Sequence, residues 1–362
     1  MNASVPVARR SPSLTSQLGL SEKIFATSED RALARAIDDG LERVEEGLVS
    51  QVSFADAVAD VSTRYLMEAG GKRVRPMLTL LAAQLGSGNN REVLLGAQAI
   101  EITHLASLYH DDVMDEAEKR RGVPSAQTVW GNNVAILTGD LLFARANQLM
   151  AELGERAIRL QADTFERLVL GQLHETVGPQ EGDDPIEHYI NVLADKTGSL
   201  IAAAARTGVV FSGAPAEYEE AVRVFGEKVG VAFQIVDDVI DLSPQPEETG
   251  KNPGTDIRAG VATLPVLRLR ERAASDPASA ALLARLESYM RRSADRLDHT
   301  AEQDADISAA ITELREHEVT RATMDEARRW ADEAVAALDV LPKGAVRKAL
   351  VRFAGTIVDR NN

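Results

Sequence analysis

The chain has 362 residues, 44% of them hydrophobic, a formal net charge of −16 and no cysteine. That length can bury one large core or two ordinary ones, and the absence of cysteine excludes disulfides and thiolate metal sites and fits a reducing compartment. The acidity argues against a nucleic-acid partner and requires any anionic ligand to be met by a metal ion or by clustered arginines.

The first 28 residues hold Arg9, Arg10, Pro6 and Pro12 among many serines and threonines, with no acidic residue before Glu22. They read as a disordered N-terminal tail; a transit peptide has the same look. From Glu29 on, apolar residues recur at helical spacing, and aromatics make up only 4% of the chain. Helices are predicted over 29–48, 54–69, 74–86, 91–116, 126–152, 155–177, 187–211, 215–242, 262–273, 277–296, 306–337 and 343–357. Breaks are expected at 86–90, 178–185, 243–260 and near 297–304. Strand-like alternation, a fixed-period repeat and a clear interdomain linker are all missing. The expected fold is all-α, with residues 29–362 forming one large single-domain helical bundle. No apolar run approaches the roughly 20 residues of a membrane span. A cytoplasmic protein is expected.

Two predicted helices are apolar on most sides, 93–110 and the segment around 229–236, as helices buried in a bundle centre are. Each ends in a burst of carboxylates: Asp111-Asp112-Val113-Met114-Asp115 and Asp237-Asp238-Val239-Ile240-Asp241. Acidic triplets alone carry little weight, since 56 Asp and Glu residues produce roughly one such match by chance. Asp38–Glu42 and Asp183–Glu187 have the same spacing in polar surroundings and read as solvated faces or loops. The two clusters at apolar helix ends differ, because carboxylates beside a core are costly unless cations neutralise them. Residues i and i+4 share a helix face, so Asp111 with Asp115, and Asp237 with Asp241, can converge on Mg²⁺.

Cations follow a matching pattern. Gly70-Gly71-Lys72-Arg73-Val74-Arg75-Pro76 leads into a helix N-terminus, where backbone N–H groups, Lys72 and Arg75 suit an anion. Arg120 and Arg121 follow the first cluster closely. His104 lies two turns before Asp111 on the same face. Lys196, Thr197 and Gln234 come from two further apolar helices, and Lys251 lies in the turn after the second cluster. Each taken alone is compatible with a solvated loop or a satisfied core residue.

Together these segments resemble the trans-isoprenyl diphosphate synthases, or polyprenyl synthetase family. The resemblance runs from about residue 50 to 270: GGKRVRP at 70–76, HDDVMD at 110–115, RRG at 120–122, GDLLFARA at 139–146, KT at 196–197, FQIVDDVID at 233–241 and the GK…GTD loop at 250–256. It implies the isoprenoid synthase fold, a helical bundle around a central active-site cavity, and a homodimer. It implies that Lys72, Arg75, His104 and Arg121 hold isopentenyl diphosphate. Asp111, Asp112, Asp115, Asp237, Asp238 and Asp241 would carry several Mg²⁺ ions on an allylic diphosphate, which Arg120, Lys196 and Lys251 would also neutralise. Thr197 and Gln234 would face the allylic cation. Ionisation of the allylic C–O bond, attack by the isopentenyl double bond and proton loss would extend the chain by one isoprene unit.

One position departs from the family pattern: Val261 stands where many members carry lysine, and Arg258 is the nearest substitute cation. Product length is expected to follow from the first cluster's helix. Ala106 and Ser107 lie about 6–8 Å back from Asp111 along the axis. Short-chain members carry bulky aromatics near these positions. Two small residues leave the floor open and predict a product of about six to ten isoprene units along that wall, with Phe143 a deeper stop. A short-chain synthase of the same family is the alternative product class, and two other readings share part of the pattern. A class I terpene cyclase would bind one diphosphate only, and a non-catalytic subunit would have a damaged cluster. An apolar product would require transient membrane contact for its release.

Overall fold

The structure is a computed structural model and describes residues 27–243 and 253–359. The predicted tail, residues 1–28, lies almost wholly outside the described residues, as does Lys251. Sixteen α-helical segments, one π-helical turn and one 3₁₀ turn account for nearly all regular structure among the described residues. The first helices are α1 (Ser28–Gln51), α2 (Ala57–Glu68), α3 (Val74–Ala83) and α4 (Arg91–Met114). A two-stranded hairpin follows, β1 (Lys119–Arg120) with β2 (Val123–Pro124). Then come α5 (Ala126–Trp130), α6 (Asn132–Glu152), α7 (Glu155–Val177), α8 (Pro185–Leu193), the π turn Ala194–Gly198, α9 (Ser199–Phe211) and α10 (Glu217–Asp241). The chain continues through α11 (Thr255–Arg258), α12 (Leu264–Ala273), α13 (Pro277–Ala294), α14 (Ala301–Glu316), α15 (Glu318–Ala337), a 3₁₀ turn (Leu338–Val340) and α16 (Ala345–Val358).

The all-α expectation holds, and four local expectations need correction. Lys119–Pro124 forms the hairpin, which is too short to show alternation. The expected helix 126–152 is split by Gly131, whose φ of 84° breaks the helix between α5 and α6. The expected helix 187–211 contains a π turn. The expected helix 306–337 starts earlier, at Ala301, where Thr300 and Gln303 form a reciprocal capping box, and it breaks at His317. His317 adopts an extended backbone (ψ 153°), and its Nδ1 accepts from the Val319 N–H at 3.3 Å. The side chain therefore acts as a cap for α15, a stop that neither glycine nor proline announces.

Contacts group the chain into two compact units. The first holds residues up to Arg167, Ser199–Gly226 and Ala337–Phe353; the second holds Leu168–Gly198, Glu227–Ala336 and the residues from Ala354 on. In the first unit α4 is the central element. Its residues are buried from Val93 to Tyr109 with few exceptions, and it packs against α1, α3, α6 and α9. Helices α3 and α9 approach closely because Gly208 is bare: a Cβ there would lie 2.2 Å from the Thr79 carbonyl oxygen. In the second unit Ile257, Val266, Leu269, Leu286, Ile307 and Leu314 form one cluster. Ile186, Val231, Ile235, Leu264 and Ala327 form another. Asp184 caps α8 and Asp276 caps α13, each followed by proline in the first turn.

Gly208→Ala drives a methyl into backbone that cannot swing away, and it is expected to cost about 1–3 kcal/mol. Gly344 has nothing within 4 Å of an added Cβ, and Gly344→Ala should leave stability nearly unchanged. Urea denaturation of the two variants checks the contrast.

Candidate active site

The first unit brings the first acidic cluster and most of the predicted cations to one end of α4. The helix closes at Asp115, whose N–H donates to the Asp111 carbonyl at 2.8 Å. Helical geometry therefore extends through the cluster, and Asp111 and Asp115 share a face. Asp112 is fully buried. Its Oδ1 accepts from Arg120 Nε at 2.6 Å, while its Oδ2 is buried without a hydrogen-bond partner. Burial raises the Asp112 carboxyl above its ordinary range, Arg120 opposes this, and Asp115 adds to it.

The two arginines owe their placement to the hairpin. Lys119 pairs with Pro124 and Arg120 with Val123, leaving Arg121-Gly122 as a two-residue loop. Both loop residues have positive φ, 53° and 80°, the pattern of a type I′ turn. Arg121 Nη1 donates to the Leu66 carbonyl at 2.7 Å. Its guanidinium lies over Gly71, where a Cβ would stand 3.1 Å from Arg121 Cζ and 2.8 Å from Arg73 Nη1. The glycine pair thus makes room for guanidinium groups as well as for backbone.

Arg73 itself has a structural duty that the sequence does not announce. It bonds both carboxylate oxygens of Glu45, at 2.7 and 2.8 Å, and reaches Glu101 at 3.1 Å. Arg75, by contrast, is half-buried, and its Nε is buried without a hydrogen-bond partner. Burial lowers its pKa to about 10; Glu101 works against this and Arg121 with it. His104 is pushed well below its ordinary value, by burial first and then by Arg75, Arg121, Arg120 and Arg73. It stands among guanidiniums, and so many cations together form a pocket that calls for an anion. Lys72 is exposed at the start of the same turn.

Farther back along α4, Ala106 is fully buried, and Ser107 Oγ donates to its own helix at the His104 carbonyl, 2.9 Å away. Tyr109 turns to α2, donating to the Ser62 carbonyl and accepting from the Leu66 N–H at 3.2 Å. Phe143 is buried on α6.

The second unit holds the second cluster. Asp238 is buried; its Oδ2 accepts from the Tyr189 hydroxyl at 2.8 Å and from the Leu264 N–H at 3.4 Å. Burial pushes its carboxyl well above the usual range; the Tyr189 hydrogen bond opposes this, while Asp256 and Asp237 add to it. Asp241 accepts from the Asp256 N–H through Oδ2 at 3.1 Å, and from the Gly254 N–H through its carbonyl at 2.7 Å. Asp237 and Gln234 are half-buried, and Gln234 sits one turn earlier on α10. Lys196 and Thr197 lie in the π turn, a conformation frequent at functional positions. Bare backbone surrounds it: a Cβ on Gly171 would stand 2.6 Å from the Lys196 nitrogen, and one on Gly230 2.6 Å from Gly198 Cα. Lys196 Nζ pairs with Glu175 at 2.5 Å.

Arg258, the nearest substitute for the lysine absent at Val261, is engaged within its own unit. Its Nε donates to the Pro253 carbonyl at 3.0 Å and its Nη2 to Ser308 Oγ at 2.8 Å. The polar triplet at 183–187 is local scaffolding: Asp184 caps α8 through the Ile186 and Glu187 N–H groups, and Asp183 accepts from the Gln180 N–H. Tyr189 escaped sequence reading because nothing local distinguishes it from a core tyrosine.

The sequence pattern of the family described as polyprenyl synthetase matches residues 57–302. The chain belongs to the polyprenyl synthetase family. It is 45% identical over 334 residues to a nonaprenyl diphosphate synthase of Mycobacterium tuberculosis, covering 92% of this chain and 96% of the relative. It resembles a polyprenyl synthase from Caulobacter crescentus, solved with calcium and isoprenyl diphosphate, at a TM-score of 0.79 and 33% identity over 92% of this chain and 98% of that one. A geranylgeranyl pyrophosphate synthase from Corynebacterium glutamicum, solved with the same two ligands, gives 0.77 and 42% over 91% and 97%. The chain is accordingly an enzyme of the prenyltransferase class, with the chain-elongating trans-prenyltransferase activity of this family and the helical bundle of the isoprenoid synthase fold. No described helix is long and apolar enough to cross a membrane.

The acidic residues suit a hard divalent cation in a particular way. Among the described residues no three acidic or histidine side chains form a ready-made metal cage. Mg²⁺ usually takes only one or two carboxylates and completes its shell with water and phosphate oxygens. The unpartnered, buried Oδ2 of Asp112 is an oxygen that a cation would satisfy.

Tyr189→Phe removes the hydroxyl donor to buried Asp238 and is expected to destabilise the protein by about 1–3 kcal/mol. A denaturation midpoint indistinguishable from that of the parent would refute this account of the pair.

Proposed function

We propose that the chain condenses isopentenyl diphosphate with an allylic diphosphate to build a long all-trans polyprenyl diphosphate, of about six to ten isoprene units along the α4 wall. The observation that carries this reading is α4 itself: a buried helix with carboxylates at its end, guanidiniums around His104, and only Ala106 and Ser107 where a bulky floor would stand. Lys72, Arg75, His104 and Arg121 take the isopentenyl diphosphate. Asp111, Asp112, Asp115, Asp237, Asp238 and Asp241 hold Mg²⁺, which makes diphosphate a better leaving group when bound. Arg120, Lys196 and Lys251 balance the same charge. Thr197 and Gln234 present oxygen dipoles to the allylic cation. No nucleophilic side chain is required, because the attacking electrons come from the isopentenyl double bond.

The same reading takes residues 29–362 as one catalytic domain preceded by a tail. It also makes the protein a cytoplasmic homodimer that releases its apolar product by transient membrane contact. Exposed Val169, Leu170, Leu173 and Val177 recur at helical spacing on α7, a stripe suited to a second copy. Sedimentation at micromolar concentration should give twice the chain mass.

The decisive assay supplies Mg²⁺, isopentenyl diphosphate and each of three allylic starters in turn, and measures product mass. Elongation to long products is expected. Diphosphate release that needs no isopentenyl diphosphate would mark a cyclase instead. Ala106→Phe should shorten the product and Phe143→Ala should lengthen it; unchanged distributions would remove these residues from the length-setting wall.

A further inference from the structure

Phe143 does not stand alone. Its ring centroid lies 4.5 Å from that of Phe165 on α7, tilted by 53°, and 5.5 Å from that of His110 on α4. His110 is fixed in turn: its Nε2 lies 3.0 Å from the Ile136 carbonyl, and its ring fills the notch over Gly139, where a Cβ would stand 2.4 Å away. Three rings from three helices therefore form one contiguous wall within the first unit, immediately beside the first acidic cluster.

Helix α7 has a second hold on the same place. Gln161 precedes Phe165 by four residues and so shares its face. Gln161 is 3% exposed, and its Nε2 donates to Thr103 Oγ1 at 2.9 Å. The Thr103 hydroxyl already donates to the Ala99 carbonyl at 2.8 Å, so it can only accept from Gln161. Thr103 lies about 10 Å before His110 along the α4 axis. One face of α7 thus touches α6 through Phe165 and α4 through Gln161, and this cross-link fixes the height at which the Phe165 ring stands.

We propose that Phe165 is a specificity-determining residue: with Phe143 it forms a two-helix stop for the growing polyprenyl chain, held in register by the Gln161–Thr103 hydrogen bond. The proposal rests on the elongation reading given above. Rigid rings in tilted contact back each other mechanically. Removing Phe143 alone leaves Phe165 free to lean into the space, and the reverse holds as well. The two substitutions should therefore be non-additive in product length.

The test compares product mass distributions of the parent, Phe165→Ala, Phe143→Ala and the double variant, under identical Mg²⁺ and substrate conditions. Phe165→Leu serves as the better-tolerated second variant. Phe165→Ala is expected to shift the main product upward by at least one isoprene unit, and the double variant by more than the two single shifts added. Phe165→Leu should give a smaller shift in the same direction. A lowered melting temperature with the parental distribution in both folded Phe165 variants would overturn the proposal and leave Phe165 a packing residue. Simple addition of the two shifts would overturn the paired stop. If the parent itself does not elongate, the underlying reading fails and the inference falls with it; that outcome is read on the parent alone and is distinct from an elongating parent with unresponsive variants.

Discussion

Charge at the end of a buried helix is the constraint on which the rest of the first unit depends. A carboxylate taken out of water must find a cation, a donor or a proton. At Asp112 the partner is Arg120, which needs the hairpin to bring it there. The hairpin carries Arg121 beside it, and Arg121 requires a bare residue at 71. Arg73 cannot be spared for the ligand, because Glu45 and Glu101 occupy it. Arg75 and His104 are left in a pocket rich in positive charge, and an anion is what relieves it. The arrangement is stable as a protein and unsatisfied as a binding site, and both follow from the same few charges.

The second unit solves the same problem with different means. Asp238 receives a phenolic hydroxyl and a backbone N–H in place of a guanidinium. These donors orient the carboxylate without neutralising it, so its pKa stays high. A cluster built this way has more need of a cation than one already paired with arginine. The π turn around Lys196 and Thr197 is seated by close backbone approach at Gly171, Gly198 and Gly230, and Lys196 adds an ion pair with Glu175.

Much of this was legible in the sequence. The apolar runs ending in aspartates are buried helices, the glycine pair leads into α3, and the RRG triplet stands close to the first cluster, where Arg120 meets Asp112. The bland acidic triplet at 183–187 proved to be a turn and a helix cap, as its polar surroundings implied. What could not be read depends on partners distant in the chain. Nothing near Tyr189 says that Asp238 will accept its hydroxyl, and nothing near Phe165 says that Phe143 will meet it. Glu101 was visible only as an interruption of an apolar helix; its tie to Arg73 spans 28 positions. The π turn and the His317 break were missed for another reason. The His317 break carries neither glycine nor proline, and Gly198 closes the π turn inside an otherwise unbroken helical pattern, where a single glycine does not announce a change of helix type.

The Arg121-Gly122 loop has a consequence for how this protein can evolve. Surface loops generally accept insertions at little thermodynamic cost. This one is exposed at Gly122, which has nothing within 4 Å of an added Cβ, so crowding places no limit on its length. The limit is register. An added residue would break the pairing of Arg120 with Val123 and of Lys119 with Pro124, and with it the strand that holds the Arg120 guanidinium against Asp112. Lineages descended from this sequence are free to decorate the turn chemically, yet they are held to its length of two residues for as long as Asp112 stays buried.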